Sequence, residues 1–444
     1  MNIILLSGGS GKRLWPLSND VRSKQFIKIF KKPGPGVSGE ESYESMLQRV
    51  FRQIRTVDPE ASVTIATARS QVSAIRNQIG EEVGISVEPC RRDTFPAIVL
   101  AASFLHDIKG VPEEEAVVVC PVDPYVDDAY FTALQQLWEL SQKGTASLVL
   151  MGIRPTYPSE KYGYIIPDTA DNVSKVSTFK EKPDAATAQT YMDQGGLWNG
   201  GVFAFKLSYV LERAHQLIDF TDYADLYSKY DTLSKISFDY AVAEHEPDIV
   251  VMRFDGEWKD LGTWNTLTEA MEENVIGDVR LNETCRNVHA INELGIPVLG
   301  MGLKDVVISA SPEGILVSDK EQSSYIKPFV DAINRQVMFA EKSWGSFRIL
   351  DVEETSLTIK VTLNPGHRMN YHSHDRRNEV WTVISGQGRT IVDGMEQPVK
   401  AGDVITMEAG CRHTVIADTV LKLIEVQLGS HISVSDKHKY ELEL

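Results

Sequence analysis

The chain has 444 residues, 42% of them hydrophobic and 24% charged, which excludes a disordered, collagenous or coiled-coil protein. At about 100–200 residues per domain, this length implies two or three domains. With 45 basic and 62 acidic residues the net charge is −17, so a nucleic-acid or anionic-membrane surface is excluded and any anionic ligand must be met by a local basic pocket. Cys90, Cys120, Cys285 and Cys411 are scattered with no CxxC pair, so reduced thiols are expected rather than a disulfide framework. The opening apolar run is too short for a signal peptide, and no run of about 18 apolar residues occurs. A cytoplasmic protein without a membrane span is expected.

Up to about residue 260, compact apolar runs at 3–6, 63–66, 117–120 and 147–151 alternate with helix-like segments at 45–54, 71–79 and 96–106. Strands buried on both faces and separated by helices make a Rossmann-like, mostly parallel α/β sheet, which binds ligands beyond the carboxyl ends of its strands. The loops after Leu6 and Cys120 are therefore the first candidates for a site. Residues 32–40, rich in Pro and Gly, read as a loop. Residues 265–337 read as a β-rich connecting segment ending in a helix over 324–339, with no convincing internal repeat. From about 345, β-like segments recur at 357–363, 380–384, 389–392, 403–407 and 421–427, punctuated by turns such as Asp393-Gly394. This spacing predicts an all-β sandwich or barrel. The expected domains are 1–264, 265–337 and 338–444.

The first chemical signal is Ser7-Gly8-Gly9-Ser10-Gly11-Lys12-Arg13-Leu14, directly after the first buried strand. Glycines there let backbone N–H groups approach phosphate oxygens, while Lys12 and Arg13 add charge. It is neither a P-loop nor the dinucleotide fingerprint, since the Gly-Lys-Ser/Thr ending and the third glycine are both missing. Continued as Trp15-Pro16-Leu17-Ser18 and then Lys24-Gln25-Phe26, the run resembles the signature of sugar-1-phosphate nucleotidyltransferases, in particular the mannose-1-phosphate guanylyltransferase branch. Further matches follow in the family's order: Glu88-Pro89 with Thr94 and Pro96, Pro121-Val122-Asp123, Tyr162-Gly163-Tyr164, Phe179-Lys180-Glu181-Lys182-Pro183, Trp198-Asn199, Asp239-Tyr240-Ala241 and Trp258-Lys259-Asp260-Leu261-Gly262.

The resemblance implies transfer of a nucleotidyl group from GTP to mannose 1-phosphate, giving GDP-mannose and pyrophosphate. It assigns magnesium to Asp123 and Asp260, and triphosphate neutralisation to Arg13 and Lys24. It assigns nucleotide contacts to Leu6, Gly8, Gly9, Ser10, Gly11, Glu88, Arg92, Asp93 and Pro121, and sugar-phosphate contacts to Gly163, Glu181, Lys182 and Asn199. A homodimer is implied by the family. The segment Arg91-Arg92-Asp93-Thr94-Phe95 departs from the family's usual Gly-Arg/Lys-Asn-Thr-Ala. A different nucleotide (CTP or UTP) or sugar is therefore the first alternative, and a non-catalytic sugar-nucleotide sensor the second.

The second signal is Gly366-x5-His372-x-His374-x4-Glu379-x6-Gly386, followed by Gly402-x5-Glu408-x-Gly410-x2-His413. On a strand, His372 and His374 share a face because the period is two. Three imidazoles and a carboxylate suit a divalent transition metal (Zn, Mn, Fe, Co or Ni) with positions left open. The spacing matches the cupin motifs. Residues 342–427 resemble the C-terminal domain of bifunctional mannose-1-phosphate guanylyltransferase/mannose-6-phosphate isomerases, through Trp344-Gly345-Ser346, Pro365-Gly366, Arg377-x-Glu379-x-Trp381 and Ile424-Glu425-Val426-Gln427. This implies a second activity, mannose 6-phosphate/fructose 6-phosphate isomerisation, with Arg377 and Arg412 as phosphate or enediolate partners. His372, Asp375-Arg376, Glu408 and Thr414 depart from the pattern usual in those enzymes, so a non-isomerase cupin is the alternative.

Overall fold

The computed structural model describes residues 1–9, 12–19, 21–33, 42–333, 335–433 and 435–442. Ser10, Gly11 and most of the loop expected at 32–40 lie outside the described residues. Contacts divide the chain into two compact units. The first comprises Met1–Ser10, Lys24–Val72 and Ile79–Glu272; the second comprises Gly11–Ser23, Ser73–Gln78 and Glu273–Leu444.

The first unit is built on a nine-stranded sheet of β1 (Asn2–Ser7), β2 (Ser62–Ala68), β3 (Gly84–Glu88), β4 (Ala116–Pro121), β5 (Leu148–Ile153), β6 (Tyr164–Pro167), β7 (Val173–Lys180), β8 (Leu197–Lys206) and β9 (Ile249–Phe254). Their spatial order is β3-β2-β1-β4-β8-β5-β9-β7-β6. The pairings make all but β7 and β8 run in one direction. The apolar runs expected as strands all lie in this sheet, because residues such as Ile3, Ile4, Val117, Val118 and Leu150 are covered on both faces.

The helix Thr94–Ser103 carries almost no polar face. Residues 95–103 are all buried, packed in one core with Val117, Phe203 and Phe238. A helix apolar all round must be sandwiched, and each of its large side chains contributes about 1.5–3 kcal/mol when fully buried. Asp93 starts it: its carboxylate accepts from the Thr94 N–H at 2.8 Å, while its own φ is 70°.

In the second unit, residues 275–311 stack parallel strands, and Gly314–Asp319 closes the stack antiparallel to Val306–Ser311. Val275–Ile276 pairs with His289–Asn292, which pairs with Val306–Ser311; beside them Val279–Leu281 pairs with Val298–Gly300. Successive rungs stack in parallel, as in a short β-solenoid. No repeat is legible in the sequence because the matched positions, Val275, Ala290 and Ile308, are unequally spaced and share no side-chain signature. The segment Gly11–Ser23 is tied to this stack. Arg22 makes a two-pronged bond to Glu293 at 2.8 and 2.9 Å, Asn19 donates to Glu313 at 2.8 Å, and the Ser311 hydroxyl donates to the Pro16 carbonyl at 2.6 Å.

The helix expected over 324–339 is confined to Lys327–Asp331. Its expected end is instead strand β10 (Phe339–Lys342), whose backbone groups are satisfied across a hairpin with β11 (Gly345–Val352). Two facing sheets follow. One has the order β10-β11-β12-β19-β14-β17, adding β12 (Ser356–Leu363), β14 (Asn378–Ser385), β17 (Val404–Met407) and β19 (Leu421–Leu428). The other runs β16-β15-β18-β13-β20, from Met395–Lys400, Gln387–Val392, His413–Ala417, His372–Ser373 and His438–Lys439 respectively. Trp381, Val361, Leu363, Met407, Val415 and Leu423 fill the apolar space between them.

Candidate functional site

A cleft of about 220 Å³ opens in the first unit, beyond the end of β4. Asp123 and Asp260, 137 residues apart, meet there because Pro124–Val126 and Trp258–Asp260 form an antiparallel ribbon with Asp260 opposite Pro124. The short turn Lys24–Phe26 is fixed by buried Phe26 and by Gln25, whose amide donates to the Ser7 hydroxyl at 3.0 Å. It delivers the Lys24 ammonium to 2.7 Å from Asp123 Oδ2 and 3.7 Å from Asp260 Oδ1. Both carboxylates keep about two-fifths of their side-chain surface exposed (38% and 44%), so they are open to a ligand or cation. Two hard oxygen donors that open onto a cleft suit a magnesium ion completed by water and phosphate oxygens.

At the other end of the cleft, β7 pairs with β6 so that Lys180 lies opposite Tyr164, and Glu181 follows beside Gly163. A Cβ at Gly163 would collide with the Glu181 carboxylate, which explains the glycine. Glu181 Oε1 is 2.7 Å from the Lys182 ammonium, whereas its buried Oε2 has no hydrogen-bond partner among the described residues. Burial pushes the Glu181 carboxyl pKa up, and so does the negative charge of Asp239, while Lys182 opposes both. Asn199 is hydrogen-bonded on both sides: its amide donates to Asp239 at 2.5 Å and its carbonyl accepts from the Gly201 N–H at 3.1 Å. Burial also raises the Asp239 pKa, partly offset by the Asn199 bond. Tyr162, Trp198 and Trp258 form an aromatic wall with ring centroids 4.9–6.5 Å apart.

The glycine turn after β1 follows Leu6, which pairs with Pro121 of β4. Gly8 and Gly9 are exposed, and Gly9 has φ 101°, a conformation only glycine adopts readily. Its carbonyl accepts from Arg91 Nη2 at 3.2 Å. Arg91, rather than the expected Arg92, thus reaches this turn. Arg92 is committed elsewhere, donating to the backbone carbonyls of Tyr230 and Asp231. Glu88 accepts from the Tyr230 hydroxyl at 2.9 Å, and burial raises its pKa. Asp93 is occupied as a helix cap. Arg13 lies exposed in the turn Lys12–Leu14 of the second unit, where Lys12 pairs with Asp331 at 3.0 Å.

The four expected metal ligands of the second unit converge. His372 lies opposite His413 in the β13–β18 pairing, and the ligand atoms of His372, His374, Glu379 and His413 all lie within 4.8 Å of one another, buried. Each imidazole places Nδ1 on a backbone carbonyl: His372 on Asn370 (2.6 Å), His374 on Asp436 and His413 on Cys411 (3.0 Å). A carbonyl only accepts, so Nδ1 carries the hydrogen and the Nε2 lone pairs are left for the centre, as in imidazoles that ligate metals. Burial drives the His372 pKa down to about 2, keeping it neutral. Among the described residues, Glu379 Oε2 and His413 Nε2 are buried without a hydrogen-bond partner although 3.2 Å apart. Such a cage of facing acceptors fits a divalent transition metal.

Arg377 reaches the cage, with Nε 3.2 Å from Glu379 and Nη2 3.1 Å from His374 Nε2. Arg412 does not: it is exposed and lies over the Tyr440 ring at 4.1 Å, its backbone N–H bonded to Asp393. Arg412 precedes the strand that starts at His413, and its backbone N–H is held by the Asp393 carboxylate rather than by the cage.

The nucleotidyl transferase family profile matches residues 2–275, and the cupin domain profile matches residues 359–427. The xanthan biosynthesis protein XanB of Xanthomonas campestris pv. campestris (strain B100) is 30% identical over 485 residues, covering 99% of this chain and 97% of XanB. This chain belongs to the nucleotidyl transferase family. A mannose-1-phosphate guanylyltransferase of Escherichia coli (strain K12) is 29% identical over 478 residues, covering 98% of this transferase and 96% of the relative. The crystal structure of a Thermus thermophilus protein described as a mannose-1-phosphate geranyltransferase matches with TM-score 0.60 and 27% identity, covering 74% of the transferase and 98% of that chain. No helix among the described residues is long and apolar enough to cross a membrane.

Sequence reasoning assigned Asp239, Tyr162 and Trp258 of the transferase no role, although each stood inside a quoted motif. All three line the cleft. Their signal was present, but which member of a motif faces a ligand depends on strand register, which the motif alone does not supply.

Proposed function

We propose that the cleft transfers a nucleotidyl group from GTP to mannose 1-phosphate, giving GDP-mannose and pyrophosphate. The observation that carries this is Lys24 between Asp123 and Asp260, at one end of a cleft that also holds Glu181, Asn199 and Asp239. A sugar-phosphate oxygen attacks the α-phosphorus and pyrophosphate leaves, so two polyanions must be aligned and their charge neutralised. Magnesium, held by Asp123 and Asp260, would supply part of that neutralisation. Lys24 supplies the rest at the triphosphate, and Lys182 grips the sugar phosphate. The unpartnered Glu181 Oε2 accepts from a sugar hydroxyl. The names of the relatives favour guanine and mannose. The transferase work is assigned to residues 1–264, in a cytoplasmic homodimer, whose state light scattering on the purified chain would measure.

Purified protein with Mg²⁺, mannose 1-phosphate and each of four nucleoside triphosphates should release pyrophosphate rapidly with GTP alone. Release with CTP or UTP instead would overturn the choice of base, and no release with any nucleotide would favour the sensor. Gly163→Ala should lower kcat/KM for mannose 1-phosphate about tenfold or more, chiefly through KM, because the added methyl displaces the Glu181 carboxylate. An unchanged KM would remove Glu181 from the sugar site.

A second reading concerns the cupin barrel. Three imidazoles with inward Nε2 lone pairs favour a bound divalent transition metal, and with it interconversion of mannose 6-phosphate and fructose 6-phosphate.

A further inference from the structure

Asp239 lines the cleft, 40 residues downstream of the Asn199 side chain that it bonds. Its place there is set by packing on two neighbouring elements. Ser237 caps the short helix Phe238–Ala241, its hydroxyl accepting from the Tyr240 N–H at 3.3 Å. Phe238 is fully buried, with its ring centroid 4.6 Å from that of Phe203 and 6.4 Å from that of Phe95. The Phe238 N–H also donates to the Thr94 hydroxyl at 2.9 Å, and the Phe95 N–H donates to the Ile236 carbonyl at 3.2 Å. Phe203 and Asn199 both belong to β8, so seating Phe238 on that strand brings its neighbour Asp239 to the Asn199 amide.

A primary amide is nearly symmetric in shape, and a half-turn exchanges its donor and acceptor ends. At Asn199 both ends are specified. The pairing of β8 with β5 is irregular between Asn199 and Phe203, and Gly201 within that stretch has φ 69°. The Gly201 N–H can only donate, so it holds the oxygen end, at 3.1 Å. The nitrogen end then falls on Asp239 Oδ1, at 2.5 Å. The Asn199 backbone is held as well, its N–H donating to the Gly163 carbonyl at 2.8 Å.

One amide hydrogen of Asn199 therefore remains without a partner among the described residues, and so does Glu181 Oε2. The two side chains flank one glycine. A Cβ at Gly163 would collide with Glu181 Oε2 and lie 3.3 Å from Asn199 Cβ. A spare donor and a spare acceptor side by side fit two neighbouring hydroxyls, since each hydroxyl both donates and accepts. Without Asp239 the amide is held at one end only, and the spare hydrogen loses its fixed direction.

We propose that Asp239 is a specificity-determining positioning residue, which fixes the Asn199 amide so that Asn199 and Glu181 together read two neighbouring hydroxyls of the sugar phosphate. The proposal rests on the reading of the cleft as a sugar-1-phosphate nucleotidyltransferase site and adds to it how the sugar is chosen.

The test is steady-state pyrophosphate release by the full-length protein, in the parent and in Asp239→Ala, Asp239→Asn, Asn199→Ala and the double alanine variant, with melting temperatures to confirm folding. Asp239→Ala should raise KM for mannose 1-phosphate at least tenfold and leave KM for GTP within about twofold. Asp239→Asn keeps an acceptor for the amide and should stay within about threefold of the parent. The double variant should be no worse than Asn199→Ala, because Asp239 acts through that side chain. Among mannose 1-phosphates lacking one ring hydroxyl, those that the parent discriminates against should be discriminated at least tenfold less by Asp239→Ala. Asp239→Ser, too short to reach the amide, should match Asp239→Ala and replaces it where alanine unfolds the chain. A parent-like KM in folded Asp239→Ala, equal rises in both KM values, an Asp239→Asn as impaired as the alanine variant, or additive losses in the double variant would each overturn the positioning role while leaving the transfer reading standing. No pyrophosphate release by the parent with any nucleotide would overturn both.

Discussion

Replacing Asp260 with asparagine is expected to lower pyrophosphate release by about 100-fold or more at saturating substrates, with the melting temperature close to the parent's. The carboxylate is half-exposed and, among the described residues, its ion pair is a 3.7 Å contact with Lys24, so folding does not depend on it. Transfer is expected to depend on it, because the magnesium ion that the two carboxylates would hold would neutralise the negative charge that grows as pyrophosphate leaves, and losing such a group costs several kcal/mol at the transition state. Asp123→Asn should behave alike, and the double variant should cost much less than the sum of the two, since both acids serve one ion and one lysine. Steady-state kinetics over a magnesium titration checks this. A loss confined to KM for magnesium, with kcat restored at high concentration, would make the acids binding groups only. Parent-like turnover in either variant would remove them from the chemistry.

Glu379→Gln is expected to abolish tight metal binding in the second unit, with metal content after dialysis falling from about one ion per chain to near zero. Glutamine keeps the shape and loses the anion, leaving three neutral imidazoles to hold a divalent ion. In the parent, a metal present at about 100 times its Kd adds about 2.7 kcal/mol of stability. Chelation should therefore lower the parent's melting temperature and leave that of Glu379→Gln unchanged. Pyrophosphate release with mannose 1-phosphate should be the same in both, because that chemistry uses other residues. Metal content measured by mass spectrometry is the direct readout, and full occupancy in the variant would show that Glu379 is not a ligand.

The local chemistry of both sites was legible in the sequence. A glycine turn after a buried strand, two histidines spaced by two, and a glutamate at a strand start are short-range patterns, and strand period and backbone freedom fix their geometry with little help from the rest of the chain. Asp123 and Asp260 could each be picked from a motif. Their meeting depends on the Pro124–Val126/Trp258–Asp260 ribbon, a pairing between segments far apart in the chain.

Two arginines that the resemblance assigns to ligands are held elsewhere: backbone carbonyls of Tyr230 and Asp231 take the Arg92 guanidinium, and Arg412 lies over the Tyr440 ring. The solenoid left no periodic trace, and the expected helix at 324–339 was cut short by hairpin pairing at Phe339. Composition, patterning and motif order thus determined the fold class, the family and the residue types of both centres. Only the tertiary structure decided which long side chains reach those centres, because a flexible arginine or lysine takes whichever carbonyl, carboxylate or ring the fold brings within a few ångströms.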